Sequence, residues 1–209
     1  MPDAKRAAPQ IALVTARAAL GLDEDLPPLR DALTTAGAHV AAPCWDDPDV
    51  DWSHFDLAVL RSTWDYAERV GEFLDWAEAC ARRTRLVNPP DVVRWNVDKH
   101  YLTHLSAAGV PVVPTRFVEP GTDPHRELTQ FLTVEGDIDP DNARPDDRFQ
   151  EFVVKPAIGA GSRDAARYRA TEVLDARSHV DRLVAAGRSV MLQPYLDAVD
   201  ARVCESVER

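Results

Sequence analysis

Short apolar runs alternate with segments of helical spacing in the first part of the chain, and this alternation restricts the fold more than any other feature. The runs that predict strands cover residues 11–15, 40–42, 55–60 and 85–88. The spacing of apolar residues predicts one helix between a cap at Asp25 and Gly37, and a second over residues 70–83. Uniformly apolar strands connected by helices are typical of parallel sheets that are covered on both faces. We therefore predict an α/β domain with a Rossmann-like parallel sheet.

Two consecutive prolines, Pro89 and Pro90, stop the fourth predicted strand and favour a domain boundary after Asn88. The predicted domains are residues 1–88 and residues 89–209. In the second domain the patterns predict helices at 99–108 and before Gly187, an extended segment at 110–115, and strands at 152–156, 165–169 and 189–193. A strand, a glycine turn, a returning strand, a helix and a further strand form an α+β unit rather than another Rossmann repeat.

An acidic stretch, residues 119–151, holds ten acidic residues against three arginines. Since such a composition offers little apolar surface to bury, we predict an acidic loop there, with residues 137–147 as a mobile loop or insertion. The whole chain has a net charge of −11 and a pI near 4.9. This balance argues against a nucleic-acid partner, because affinity for nucleic acid depends on clustered lysine and arginine. This net charge is compatible with the binding of a small anion by a few local cations.

Composition also indicates the cellular setting. With 209 residues, of which 45% are hydrophobic, the chain can bury a substantial core. The three cysteines form no C-x-x-C pair, which disfavours a zinc knuckle or a disulfide framework and favours a reducing cytoplasm. No run approaches the roughly 18 apolar residues that span a bilayer, so we expect a soluble, cytoplasmic protein without a membrane partner. The patterns leave open whether it is a monomer or a homo-oligomer.

A lysine at the end of an apolar strand is the first indication of chemistry. Lys155 follows three apolar residues and leads into a glycine loop at 157–163, which contains Gly159, Gly161 and Ser162. Together these offer a cation, closely approachable backbone N–H groups and a hydroxyl, which is what a polyphosphate needs. The loop matches neither the G-x-x-x-x-G-K-[ST] nor the G-x-G-x-x-G pattern, so an ordinary β-turn is the alternative.

Two further positions favour a nucleotide. Lys99 stands at a predicted helix start beside the capping residue Asp98, although a surface lysine at a helix cap would look the same. Gln193 ends an apolar strand and can both donate and accept hydrogen bonds. With Tyr195 and Leu196 behind it, Gln193 is suited to an adenine edge.

The order of these motifs resembles the ATP-grasp superfamily. The matching motifs are Asn96-x-Asp98-Lys99, Leu105-x-x-x-Gly109-Val110-Pro111-x-x-Pro114-Thr115, Val153-Val154-Lys155-Pro156, the glycine loop and Gln193-x-Tyr195-Leu196. Residues 61–66, 88–90 and 160–164 resemble the glutathione-synthetase-like branch of that superfamily. The resemblance implies that a Rossmann-like pre-ATP-grasp domain precedes an α+β ATP-grasp subdomain.

The same resemblance implies an ATP-dependent ligase. In such enzymes a substrate carboxylate attacks the γ-phosphate of ATP, and an amine displaces phosphate from the acylphosphate, which gives C–N (amide or cyclo-) ligation of an amino-acid-like substrate. By motif, the implied ATP-binding residues are Lys99 and Lys155 for the phosphates, Gly159, Gly161 and Ser162 for the lid, Gln193, Tyr195 and Leu196 for adenine, and Asp200 for the ribose. The candidate substrate residues are Thr15, Arg17, Arg61, Thr63 and Asp65. For Arg61 a surface salt bridge is an equal alternative, and Trp64 and Tyr66 are expected to pack.

The resemblance ends after Asp200. Superfamily members continue with further strands that carry an arginine, an acidic residue and Glu-x-Asn for two magnesium ions. Between Asp200 and Arg209 this sequence shows no apolar strand and no Asn, and Glu205 and Glu208 are expected to lie in a solvated tail rather than to act as metal ligands. We therefore expect no magnesium site and no catalytic residue in this chain, and a truncated or frame-shifted product or a fragment. A non-catalytic nucleotide- or partner-binding remnant is the alternative function. A Rossmann-type oxidoreductase is disfavoured, because no G-x-G-x-x-G follows the first predicted strand.

Overall fold

Four parallel strands form the sheet of the first part of the chain. They are β1 (Gln10–Thr15), β2 (His39–Ala41), β3 (Leu57–Ser62) and β4 (Arg85–Val87), in the order β2-β1-β3-β4. Every neighbouring pair in this sheet is parallel. The central strand β1 is buried from Ile11 onward, as an apolar strand inside a parallel sheet must be. The computed structural model describes residues 8–133 and 151–196.

Three helices accompany this sheet: α1 (Leu26–Thr35), α2 (Val70–Ala81) and α3 (Pro90–Asn96). Prolines stand at the start of α1 and α3, where a missing backbone N–H costs no helical hydrogen bond. The α2 face that carries Phe73, Ala77 and Cys80 is fully buried against Trp45 and Trp52 in the main core cluster of this unit. Burial raises the pKa of the Cys80 thiol to about 12, so this cysteine acts as an apolar core residue.

The sheet extends slightly further than the apolar run predicted. Ser62 still pairs with Thr15, although both residues are polar, because their hydroxyl groups lie 3.0 Å apart and bond to each other. At the other end of β3, Phe55 caps a short 3-10 helix, Trp52–His54, instead of extending the strand. The predicted Rossmann-like parallel sheet is confirmed, with strand boundaries displaced by one or two residues.

The second sheet is antiparallel throughout. Its strands are β5 (Arg116–Val118), β6 (Glu151–Pro156), β7 (Ala166–Arg169) and β8 (Val190–Pro194), in the order β5-β8-β6-β7. The helices of this unit are α4 (Tyr101–Ala107), α5 (Pro124–Thr133) and α6 (Val173–Ala185). Alternation along β6 buries Phe152, Val154 and Pro156, and the first two join α5 and α6 in one core. The predicted α+β unit is thereby confirmed.

Two elements of this unit were not predicted from the sequence. Strand β5 follows the extended segment and pairs with β8, and helix α5 occupies the beginning of the acidic stretch. Helix α5 forms because Leu128 and Phe131, one helical turn apart, reach the core. The part of the acidic stretch that was predicted to be a mobile loop lies outside the described residues.

The chain divides into two compact units, and the boundary between them along the sequence lies between Val97 and Asp98. Helix α3 contributes Val93 to the core of the first unit. The contacts of α3 therefore place the residues that follow Asn88 in the first unit as well. The domain boundary after Asn88 stays a prediction. Within the described residues, the structure shows no helix long and apolar enough to cross a membrane.

Candidate functional site

The loop between β6 and β7 encloses a cavity of about 200 Å³ in the second unit. Its lining consists of Lys99, Lys155, Pro156, Gly159, Ala160, Gly161, Ser162, Arg163 and Ala165. The loop starts at a well-defined place, because the Ala157 backbone N–H donates to the Ser189 carbonyl at 2.8 Å, just before β8. The cavity thus brings together five of the predicted ATP-binding residues, although Lys99 is far from the others in sequence.

Lys99 is held in the cavity by the chain that follows β6. Its ammonium Nζ donates to the carbonyl oxygens of Ala157 at 3.1 Å and Gly159 at 2.9 Å. Its backbone N–H also donates to Ala157, at 3.1 Å. Burial lowers the pKa of Lys99, the Lys155 charge lowers it further, and Asp98 opposes both. Two ammonium groups therefore face one small cavity, and each favours an anion there.

Lys155 owes its position to the alternation of β6. Phe152, Val154 and Pro156 face the core, so Lys155 stands on the opposite face of the strand. Burial lowers the pKa of Lys155, because the charged form is partly removed from water. Over residues 8–133 and 151–196 no hydrogen-bond acceptor contacts its ammonium, and no carboxylate lines the cavity. A bound anion would supply the missing counter-charge.

The backbone of the loop adopts a conformation that few sequences allow. Gly161 and Ser162 both have left-handed backbone, with φ angles of +59° and +56°. Glycine adopts this region freely, whereas serine does so at a cost. At Gly159 the constraint is space, since an added Cβ would lie 3.0 Å from the Pro156 side chain. Glycine thus avoids a backbone cost at position 161 and a tight contact at position 159, which suits a close approach of backbone to a ligand.

The predicted adenine residues occupy the end of β8. Gln193 is buried and donates its amide Nε2 to the Thr115 hydroxyl at 2.7 Å. The Tyr195 ring lies under the Arg167 guanidinium, 3.5 Å from it, and Leu196 is exposed. These side chains are not part of the cavity lining, and the predicted ribose residue Asp200 lies outside the described residues.

The predicted substrate residues lie in the first unit, at and beyond the carboxyl ends of β1 and β3. Thr15 and Thr63 are buried, and Thr15 accepts a hydrogen bond from the Ser62 hydroxyl. Arg17 is exposed and stands 3.5 Å from Asp47. The structure thus gathers this group at one sheet edge, which is where ligands bind in open α/β sheets.

Arg61 and Asp65 find partners within the same unit. The Arg61 guanidinium donates to Asp23 at 2.8 Å and to Asp25 at 3.0 Å, and Asp23 is buried. Asp65 accepts the Trp45 indole N–H at 2.9 Å. The salt bridge that was the alternative for Arg61 is therefore present. Trp64 is exposed, whereas Tyr66 packs on Phe73, with ring centroids 5.4 Å apart.

Sequence reasoning did not single out two residues beside the cavity. Asp164, at the end of the glycine loop, has a φ angle of +56° and binds the guanidinium of Arg188 at 2.5 Å. A charged residue that directly follows a glycine loop is a weak signal in the sequence. Only the fold shows that its partner is the second residue, Arg188, which stands two positions before β8.

Within the described ranges, no three His, Cys, Asp or Glu side chains are arranged so that they could hold a metal ion. We therefore assign no described residue to the magnesium ions that the superfamily resemblance implies.

Comparison with known proteins gives consistent matches over both units. Residues 11–88 match the family described as the N-terminal domain of D-cycloserine synthetase DcsG. The chain is 45% identical over 190 residues to the cycloserine biosynthesis protein DcsG of Streptomyces lavendulae, and the alignment covers 91% of this chain and 60% of that protein. The chain thus spans about three fifths of the length of its relative.

Solved structures show the same likeness. The crystal structure of D-cycloserine synthetase DcsG superposes with a TM-score of 0.76 at 44% identity, over 91% of this chain and 61% of that chain. D-alanyl-alanine synthetase A of Vibrio cholerae matches with a TM-score of 0.62 at 11% identity, over 91% and 60% of the two chains, which shows a common fold. The two DcsG matches confirm the resemblance predicted from the motifs, and a RimK domain ATP-grasp protein of Sphaerobacter thermophilus shares the fold, with a TM-score of 0.56 at 17% identity.

Proposed function

Because the chain has the fold of ATP-grasp ligases and is similar to a D-cycloserine synthetase over both units, we propose that it binds ATP in the β6–β7 loop cavity. The observation that carries this proposal is the pair of half-buried lysines in a cavity whose described lining has no carboxylate. Lys99 and Lys155 would neutralise the phosphates, and the left-handed backbone at Gly161 and Ser162 would bring the loop against them. Gln193, Tyr195, Leu196 and Asp200 would serve the nucleoside.

The proposed reaction joins a carboxylate to a nitrogen. A carboxylate oxygen of the substrate attacks the γ-phosphorus of ATP, ADP leaves, and an acylphosphate forms. An amine nitrogen then attacks the acyl carbon, inorganic phosphate leaves, and the nitrogen loses its proton. The described residues contribute positioning and charge neutralisation, on which phosphoryl transfer mainly depends. Magnesium, when bound in an ATP-grasp ligase, neutralises phosphate charge, and we assign no described residue to it.

The proposed substrate is a small amino-acid-like carboxylic acid. The individual protein that the sequence motifs resemble is O-ureido-serine cyclo-ligase of cycloserine biosynthesis, and both similar proteins carry cycloserine in their names. The acid and the attacking nitrogen, which is the ureido nitrogen bonded to oxygen, would then belong to one molecule. Ligation would close a ring, and hydrolysis of the carbamoyl group on that nitrogen would release ammonia and carbon dioxide. Thr15, Arg17, Arg61, Thr63 and Asp65 are the proposed substrate residues, in the domain that we place at residues 1–88. We propose that the protein is located in the cytoplasm, either as a monomer or as a homo-oligomer.

A second candidate function is nucleotide binding without turnover. The same cavity supports it, because two lysines and a glycine loop would hold a nucleotide whether or not a substrate is ligated. In that case the chain would hold ATP, or would complete a longer partner, without ligating a substrate.

One titration and one turnover assay separate these proposals. Calorimetric titration of the full chain with ATP is expected to show saturable binding, and its absence would remove the nucleotide proposal altogether. With Mg-ATP and O-ureido-serine, the ligase proposal expects phosphate release that depends on the acid. Binding without any release would leave the second candidate function.

A further inference from the structure

We propose that Arg188 is a positioning residue for the glycine loop, which it clamps at both ends through Asp164 and Ile158. This inference rests on the proposed phosphate-binding role of that loop. Residues 158 and 164 bracket the loop positions Gly159, Gly161 and Ser162 that line the cavity. Arg188 does not line the cavity itself, so its effect on a ligand would act through the loop.

Two contacts of one guanidinium form the clamp. Arg188 Nη1 donates to Asp164 Oδ2 at 2.5 Å, and its Nη2 approaches the Ile158 carbonyl oxygen at 3.5 Å. A planar guanidinium can serve two acceptors at once in a fixed geometry, which a lysine ammonium cannot reproduce. The Arg188 side chain is half-buried, with 33% of its surface exposed, so water screens these contacts only in part.

The position of Arg188 in the chain makes the clamp rigid. It lies between α6 and β8, and the next residue, Ser189, accepts the Ala157 backbone N–H at 2.8 Å. The Ser189 hydroxyl in turn donates to Glu119 Oε2 at 2.5 Å. The guanidinium is therefore mounted on the chain that already fixes the beginning of the loop, beside a central strand of the sheet.

The loop itself needs such a restraint. Asp164 has left-handed backbone with φ of +56°, as do Gly161 and Ser162 before it. Non-glycine residues persist in this region only where surrounding contacts hold them. The hydrogen bond from Arg188 is the foremost cause that lowers the pKa of the Asp164 carboxyl, so the acceptor is ionised at neutral pH. Arg182 adds a weaker contact to Asp164 at 3.2 Å, with a largely exposed side chain.

The test compares Arg188→Gln with Arg182→Gln in the full chain. Both variants remove a guanidinium partner of Asp164, but only Arg188 also reaches Ile158. Loss of a hydrogen bond between charged groups is expected to weaken ATP binding by about tenfold in Arg188→Gln and by about twofold in Arg182→Gln. Adenosine, which carries no phosphate, is expected to bind both variants as it binds the unchanged protein. Equal losses for ATP and adenosine would mean general damage and would overturn the proposal.

Amide hydrogen exchange of the free protein tests the clamp without any nucleotide. In Arg188→Gln, exchange is expected to accelerate in residues 158–165 and to stay unchanged in β1 and β3. Unchanged exchange in the loop, or acceleration throughout the unit, would contradict a local clamp. Since this measurement needs no ligand, it stands even if the unchanged protein fails to bind ATP. Should Arg188→Gln not fold, Asp164→Asn removes the carboxylate charge that Arg188 contacts and so weakens the clamp from the loop side, and the same loop-confined acceleration is expected.

Discussion

The two units place their charged candidate residues in opposite situations. At the edge of the first sheet, Arg61 lies between two carboxylates and Asp65 accepts an indole N–H. Among the described residues, the Lys99 ammonium in the loop cavity of the second unit donates to two carbonyl oxygens, and the Lys155 ammonium contacts no acceptor. Charges that are neutralised inside the fold stabilise the fold. Charges that are partly buried without a counter-charge cost stability and are available to a ligand, which is how functional sites commonly differ from structural ones.

The largest expected effect concerns Lys155. Replacing it in Lys155→Met removes a cation from the proposed phosphate site and is expected to weaken ATP binding by about a hundredfold, as measured by calorimetry. The free energy of unfolding should not fall. Burial lowers the pKa of Lys155, so at neutral pH its charge opposes folding, and this opposition disappears only as pH rises towards the unfolded-state value near 10.5.

Lys5→Met is the matched control, since Lys5 is the one other lysine besides Lys99 in the sequence. It is expected to leave ATP affinity unchanged. If both variants lost affinity equally, the cavity would not be the nucleotide site. If Lys155→Met lowered stability instead, the lysine would be a structural residue, and the contrast between the units would disappear.

The second effect concerns Arg61, for which we expect a loss of stability and no loss of ATP affinity. Arg61→Met leaves the buried carboxylate of Asp23 without its charged partner, which is expected to cost about 2 kcal/mol of unfolding free energy in urea denaturation. ATP affinity should not change. Arg17→Met, which removes an exposed ion pair, is the control and should shift stability by less than about 0.5 kcal/mol. A stable Arg61→Met protein with a raised KM for the acid would instead assign Arg61 to the substrate.

The smallest effect is a pH dependence at His100, the neighbour of Lys99. Its ring nitrogens lie 2.5 Å from Asp98 and 2.7 Å from Glu119. Burial disfavours the charged ring, but the hydrogen bonds to the two carboxylates outweigh it and raise the pKa above 6.5. The stabilisation from His100 is therefore complete below about pH 6.5 and is lost as pH rises through the raised pKa.

This stabilisation is measured from the free energies of unfolding of the unchanged protein and of His100→Gln, compared between about pH 5 and pH 9. The difference should shrink as pH rises. His179→Gln provides a control of opposite sign, because burial, foremost, lowers the pKa of His179. Its stabilising contribution should be lost as pH falls below about 6.5. A flat difference for His100 would show that its carboxylate partners do not hold a charged ring.

Several parts of this molecule follow from short stretches of sequence. The apolar runs of β1 and β3 predict buried strands, because their burial depends on local composition and on a simple period. Lys155 was predicted to lie at a site because it follows three apolar residues, and the structure adds that alternation along β6 decides which face it occupies. Strand β5 and helix α5 were not predicted, because their short apolar patterns stand among prolines and acidic residues.

Pairings between distant residues could not be predicted in this way. Arg61 and Asp23 are 38 positions apart, and Arg188 and Asp164 are 24 positions apart. Whether an arginine meets a carboxylate or a ligand depends on the direction in which two separate elements present their side chains. No local pattern encodes that direction.

The sequence by itself determined a parallel α/β sheet followed by an antiparallel unit, and it placed a lysine and a glycine loop at the end of one strand. Only the tertiary structure decided that Lys99 shares the cavity with Lys155, that Arg61 is neutralised, and that Arg188 holds the glycine loop. Secondary structure follows from periodicity over a few residues, whereas the charge environment of a site depends on which distant segments the fold brings within hydrogen-bonding distance.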